Sequence, residues 1–215
     1  MTSSLNVEQT RDMFLYTGEQ MIKSKPYLTE LDSAIGDGDH GVGMEVGFAN
    51  ANEKLRNGTF ASINDIFKTV GMTMISTMGG ASGIIFGTMF AGGIKGMEPL
   101  TRLDAGSLAE IMERALAAVK ERGKADVGDK TMIDAFEPAV RALKESAARS
   151  DDLLEALRRA EEEAARGAEN SKGYEAKFGR AKTLGARAIG HPDAGAVSVS
   201  IIFRSMREWV ERHGA

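Results

Sequence analysis

The chain has 215 residues, of which 42% are hydrophobic and 27% charged, and a formal net charge of −4. Those proportions fit a globular protein with a sizeable core and exclude both a disordered chain and a basic nucleic-acid binder. There is no cysteine, which excludes disulfides and thiolate metal sites.

No apolar run approaches the length of a membrane span and no charged-then-apolar leader opens the chain, so a cytoplasmic protein with one domain over residues 1–215 is expected. The 25 glycines exceed the usual share of ~7% and are concentrated in a few loops.

The first predicted helix covers residues 7–23, with Val7, Met13, Phe14, Tyr16 and Met21 on its apolar side, and Pro26 ends it. A short helical turn, 27–35, leads into an acidic stretch. The second helix, 41–55, carries Met44, Phe48 and Leu55 on one face, and Asn57-Gly58 signals a turn. The third, 62–78, runs through Ile63, Ile66, Phe67, Val70 and Met74, with Ser62 as its candidate N-cap. A glycine-rich break at 79–83 precedes the fourth helix, 83–94. That helix is apolar nearly all round and is expected to be the most buried.

After a loop at 95–103 comes the fifth helix, 105–122, and a second glycine-rich break at 123–129. The sixth helix, 130–147, has Asp129 as a candidate cap. The seventh, 151–169, bears many charged pairs on an exposed face. A long segment, 170–193, precedes the eighth helix, 196–212. Residues 197–202 alternate apolar and polar side chains as a strand would, but Phe203, Met206 and Val210 continue a helical face. With no other strand signal, the fold class is all-α.

Helices joined by mostly short connections favour antiparallel neighbours. On an up-and-down path the connections alternate between the two ends. The odd ones (36–40, 79–83, 123–129 and 177–195) hold every loop of unusual Gly and Asp content, and the even ones are ordinary turns. One composite site at one end of the bundle is therefore predicted. The second, fourth, sixth and eighth helices would turn their N-termini toward it, an arrangement suited to phosphate.

Asp32, Asp37 and Asp39 share one stretch with Gly36, Gly38, Gly41 and Gly43. Clustered acids repel unless a cation sits between them, and hard Mg²⁺ takes oxygen ligands. The spaced acids of a calcium loop are absent, so Mg²⁺ with positions open to phosphate is preferred over calcium and over a solvated turn. His40 fits a phosphate donor, a metal ligand or a plain helix-start residue, and no second His or Cys stands near it to build a zinc site. Ala81 and Ser82 lie in a loop that fits either an anion nest or a simple break, and it is not a Walker loop. Gly123, Lys124 and Lys130 read as turn and solvent residues. Met132 fits either the core or the face of an adenine ring. Arg180 fits a planar, two-pronged phosphate contact. Asp193-Ala194-Gly195 fits either part of the site or an Asx cap.

Assembled, these motifs resemble the L subunit of bacterial dihydroxyacetone kinases. The segments Ile35-Gly-Asp-Gly-Asp-His-Gly41, Gly79-Gly-Ala-Ser-Gly-Ile-Ile-Phe-Gly87, Gly128-Asp-Lys-Thr-Met132, Gly179-Arg-Ala and Gly190-His-Pro-Asp-Ala-Gly195 follow one another over almost the whole chain. The resemblance implies an eight-helix antiparallel barrel with a nucleotide, ADP or ATP, at one end. It implies two Mg²⁺ ions on Asp32, Asp37 and Asp39. It implies a nucleotide site lined by His40, Gly41, Val42, Gly43, Ala81, Ser82, Gly123, Met132, Arg180, Asp193, Ala194 and Gly195, with Arg180 also stabilising charge during transfer.

The implied activity is phosphoryl transfer to a ketose held covalently on a separate K subunit. ADP would stay bound and be rephosphorylated by a phosphotransferase-system M subunit. An ATP-dependent ketose or tetrose kinase subunit is the first alternative, and a non-catalytic nucleotide-sensing regulator the second. Neither a nucleic acid nor a membrane is an expected partner, and a homodimer stays open.

Overall fold

The computed structural model describes residues 4–213. Among them, nine α-helices follow in order: α1 Val7–Lys23, α2 Lys25–Ile35, α3 His40–Asn57, α4 Ile63–Thr77, α5 Gly80–Ala91, α6 Ala105–Gly123, α7 Ile133–Ala147, α8 Leu153–Asn170 and α9 Ala194–His213. Eight of them close a ring. α1 packs on α3, each helix from α3 to α8 packs on the next, and α9 returns to α1. This is the up-and-down barrel expected from the sequence.

α2 is the addition, packed against α3 outside the ring. A proline that only stops α1 leaves room for no more than a short turn after it. Proline also suits the first turn of a helix, where its missing N–H has no intrahelical partner to lose, and here it starts α2.

A second departure is a two-stranded antiparallel ladder, β1 Ser4–Asn6 with β2 Arg102–Asp104, which pairs Leu5 with Leu103 and buries both. Three residues are too few to show a period of two, so no strand was predicted there. Residues 197–202 are helical, as the continuing face required.

The interior of the barrel is aliphatic, methionine and phenylalanine. Phe14 meets Phe67 edge-on at 4.9 Å and Phe90 at 5.7 Å, and Phe48 meets Phe90 at 6.1 Å. Each such side chain contributes about 1.5–3 kcal/mol on burial. α5 is less uniformly buried than its composition suggested. Its second half is in the core, but its first turn is open and Ile84 is 40% exposed.

Some helix boundaries also shift. α5 and α9 begin at Gly80 and Ala194, earlier than predicted, and α7 begins later, at Ile133. Asp129 does not cap α7: its carboxylate accepts from the Asp126 N–H and pairs with Lys177. Asp134 takes the N-terminal role, accepting from the Gly128 and Thr131 N–H groups.

Between α8 and α9 the chain runs through two 3₁₀ turns, Ser171–Gly173 and Arg180–Ala188, the second broken at Gly185. Among the described residues no helix is long and apolar enough to cross a membrane.

Candidate functional site

At one end of the barrel lies a cavity of about 820 Å³, within the usual range for a small-molecule site. Four stretches line it: 32–46 from the end of α2 into α3, 77–86 from the end of α4 into α5, 130–132 before α7, and two pieces of the α8–α9 connection, 178–181 and 193–195. These are the odd connections of the up-and-down path.

The acid loop forms one wall. Asp32 sits in the last turn of α2, and Asp37 and Asp39 follow in the link to α3. Gly38, at φ +76°, turns the chain between the last two, a conformation that a side chain would oppose. One carboxylate oxygen from each acid lies within 4.8 Å of the others. Desolvation, then the negative charges of Asp37 and Asp32, pushes the Asp39 carboxyl above the ordinary aspartate range. Asp32 also accepts the His40 N–H at 3.2 Å, fixing the start of α3. Arg180 reaches across from the opposite segment to Asp37, Nε to Oδ2, at 2.8 Å.

Helix starts make the second wall. α3, α5 and α7 begin at this cavity, and none of the three has a side-chain cap. α5 leaves its first N–H groups without a side-chain partner, whereas the His40 N–H of α3 is held by Asp32 and the Ile133 N–H of α7 donates to Thr131 Oγ1 at 3.2 Å. α9 begins there too, and Asp193 Oδ2 accepts the Ala196 N–H at 2.8 Å. Asp193 keeps part of its surface on the cavity, while protein surrounds its carboxylate and pushes its pKa up to about 7. The third wall is apolar: Val46, Ile85 and Phe178 stand with Met132, which is 5% exposed.

Most of the residues singled out from the sequence gather here. Asp32, Asp37, Asp39, His40, Val42, Gly43, Ala81, Ser82, Met132, Arg180, Asp193, Ala194 and Gly195 all line the cavity. Gly41 and Gly123 do not. Gly41 faces α2, where a Cβ would stand 2.5 Å from the Lys25 carbonyl oxygen, so that glycine serves the α2–α3 contact. Gly123 ends α6 against Ile85, one side chain away from the cavity.

His40 is buried, and desolvation holds its imidazole below the ordinary histidine range, so it is neutral at pH 7. Its Nε2 lies 2.8 Å from Ser198 Oγ, which donates to the Ala194 carbonyl at 3.0 Å. The ring thereby ties α3 to α9.

Lys130, read as a solvent lysine, is instead 2% exposed. Nothing in its Gly-Asp-Lys-Thr setting distinguishes it from a turn residue. Phe178 does carry a usable signal, as an aromatic set between Lys177 and Gly179 in a polar loop.

Comparison with known proteins agrees with this architecture. The DAK2 domain family model matches residues 34–208. The ADP-binding subunit of PEP-dependent dihydroxyacetone kinase 1 from Listeria innocua is 40% identical over 189 residues, covering 88% of this chain and 89% of that protein. The corresponding ADP-binding subunit from Escherichia coli is 36% identical over 203 residues, covering 94% and 97%. The crystal structure of the dihydroxyacetone kinase from C. freundii in complex with AMP-PNP and Mg²⁺ superposes with a TM-score of 0.71 at 24% identity. The match spans 93% of this chain and 33% of that kinase, and establishes the likeness of fold.

Proposed function

The chain belongs to the DAK2 domain family, and from that premise we propose that it is the ADP–Mg²⁺-binding, phosphoryl-transferring subunit of a dihydroxyacetone kinase. In this reading residues 1–215 form one functional unit. A separate K subunit presents the ketose, and an M subunit of a phosphotransferase system restores the phosphoryl group on retained ADP. The observation that carries the reading is the meeting of an acid cluster and uncapped helix starts across one cavity with an apolar third wall.

The donor set fits Mg²⁺. Asp32, Asp37 and Asp39 offer oxygen alone and are close enough to converge on a small cation. Two ions are proposed there. When bound, Mg²⁺ supplies positive charge to phosphate oxygens that would otherwise be repelled by the same carboxylates.

The chain's own groups do the rest. The N–H groups of α3 and of Ala81 and Ser82 hold phosphate oxygens, with Val42 and Gly43 leaving room for them. Arg180, already beside the acids, offsets charge on the phosphoryl group in transit. Met132, Ile85 and Val46 give a flat base an apolar seat. Asp193, Ala194 and Gly195 close the rim. Neutral His40 keeps α3 registered on α9.

The decisive experiment denatures the purified protein, identifies any released nucleotide, and then titrates the emptied protein with ADP with and without Mg²⁺ in a calorimeter. Retained ADP and Mg²⁺-dependent rebinding are expected. No binding, or binding indifferent to Mg²⁺, overturns the reading. An empty site that turns over free ATP with a ketose-loaded K subunit assigns the chain to an ATP-dependent kinase instead.

A further inference from the structure

Lys130 stands where the 171–193 segment meets the head of α7. Its backbone is left-handed, at φ +58°, which costs a residue with a side chain roughly 1 kcal/mol or more. Its side chain is buried, and burying an ammonium is costly unless its donors are met. Desolvation pulls its pKa down, opposed by the nearby carboxylates of Asp193 and Asp134. Two such penalties at one residue need a return.

The return is in its hydrogen bonds. Nζ donates to the Ser171 carbonyl and to the His191 carbonyl, each at 2.6 Å. These carbonyls mark the beginning and the end of the excursion that carries Phe178 and Arg180 to the cavity. Two carbonyl oxygens aimed at one point repel unless a cation lies between them.

Other ties converge on the same place. The Gly190 N–H donates to the Lys172 carbonyl at 2.8 Å, and the Asp193 N–H donates to Ser171 Oγ at 2.8 Å. The Lys177 N–H donates to the carbonyl of Asp129 at 3.1 Å. Beyond these ties the tip of the segment is open, with the Arg180 side chain 78% exposed. Polar ties therefore matter more to its placement than apolar burial does.

We propose that Lys130 is a positioning residue: its ammonium clamps both ends of residues 171–191 to the head of α7, and so sets Asp193, Ala194 and Gly195 at the rim of the cavity. The consequence for binding rests on reading the cavity as the ADP–Mg²⁺ site, whereas the clamp itself does not.

The test is Lys130→Met, which keeps much of the length of the side chain and removes charge and donors. Amide hydrogen exchange and calorimetric ADP–Mg²⁺ binding are measured on the full chain. Exchange at Gly190 and Asp193 is expected to rise about tenfold or more, with α4 amides unchanged, and ADP affinity to fall about tenfold.

Unchanged exchange at Gly190 and Asp193, or a rise shared equally by α4, overturns the clamp. Weakened ADP binding with unchanged exchange makes Lys130 a direct ligand and also overturns it. If the wild-type chain binds no ADP, the reading of the cavity fails while exchange still decides the clamp. Should the Met variant not fold, Lys130→Gln, too short to bridge both carbonyls, is expected to raise exchange about threefold at the same amides, and wild-type exchange there overturns the clamp.

Discussion

The two ends of the barrel solve the same problem in opposite ways. At the far end every helix start is closed by a side chain. Asn6, Ser62 and Asp104 form capping boxes on α1, α4 and α6, and Asp152 caps α8. At the cavity end α3, α5 and α7 start on Asp39, Gly79 and Met132 with no side-chain cap. A cap is worth about 1 kcal/mol, so three omissions together are a sizeable stability forgone. The far end spends its N–H groups on folding. On the proposed function the cavity end leaves helix starts for a ligand, above all at α5, beside acids that repel one another. On that proposal stability and binding fall to different ends of the same helices, with α9, whose Ala196 N–H Asp193 accepts, as the exception.

The largest expected effect breaks the cavity end at its metal wall. Asp37→Asn is expected to weaken Mg²⁺-dependent ADP binding about 100-fold, or about 2.7 kcal/mol. The melting temperature without Mg²⁺ should not fall, because a repulsive charge is removed from beside Asp39. A titration at fixed Mg²⁺ and a thermal scan check both, and unchanged binding would remove Asp37 from the site.

Asp193 gives the next effect. Its carboxyl binds a proton more tightly folded, at about 7, than unfolded, near 3.8. The folded state therefore holds more protons across pH 4–7, and stability falls as pH rises through that window. Asp193→Asn keeps an acceptor for the Ala196 N–H and no longer titrates. Relative to wild type, its nucleotide-free melting temperature should gain about 10 °C between pH 4 and pH 8. A difference flat with pH would contradict this.

Gly79 sharpens the contrast directly. Its backbone is extended, as a cap requires, and a Cβ there meets nothing within 4 Å. Gly79→Ser should convert the start of α5 to the far-end style. It is expected to raise the melting temperature by about 2 °C while weakening ADP binding about tenfold, as the new hydroxyl takes an N–H from the ligand. Tighter binding would reverse the interpretation of the uncapped starts. The smallest effect is its mirror at the far end. Asp104→Ala should cost about 1 kcal/mol, or 2–4 °C, and leave ADP affinity unchanged in the same titration.

The barrel was legible because its signals are local and periodic. Faces such as Ile63, Ile66, Phe67, Val70 and Met74 mark a helix whatever surrounds it, and Ser62 announced a cap that is present. What failed was short or ambiguous. Pro26 ends one helix and begins another with the same ring, and Leu5 opposite Leu103 is a pairing nearly a hundred residues apart in a ladder too brief to show a period. At the site, Asp32, Asp37 and Asp39 were visible as a cluster because they lie close together in sequence among glycines. Gly41 looked the same as its neighbours, yet its missing side chain admits α2 and not a ligand.

The sequence by itself determined the eight helices of the barrel, their alternation, and hence which loops share an end, because periodicity and chain direction suffice for that. Only the tertiary structure decided what those loops do to one another. It set Arg180 beside Asp37, turned His40 inward to Ser198, and buried Lys130 between two carbonyls distant in sequence. A lysine in a Gly-Asp-Lys turn has no local property that marks it as buried. Its environment is made by a segment that arrives some forty residues later, and burial belongs to the folded chain and not to the residue.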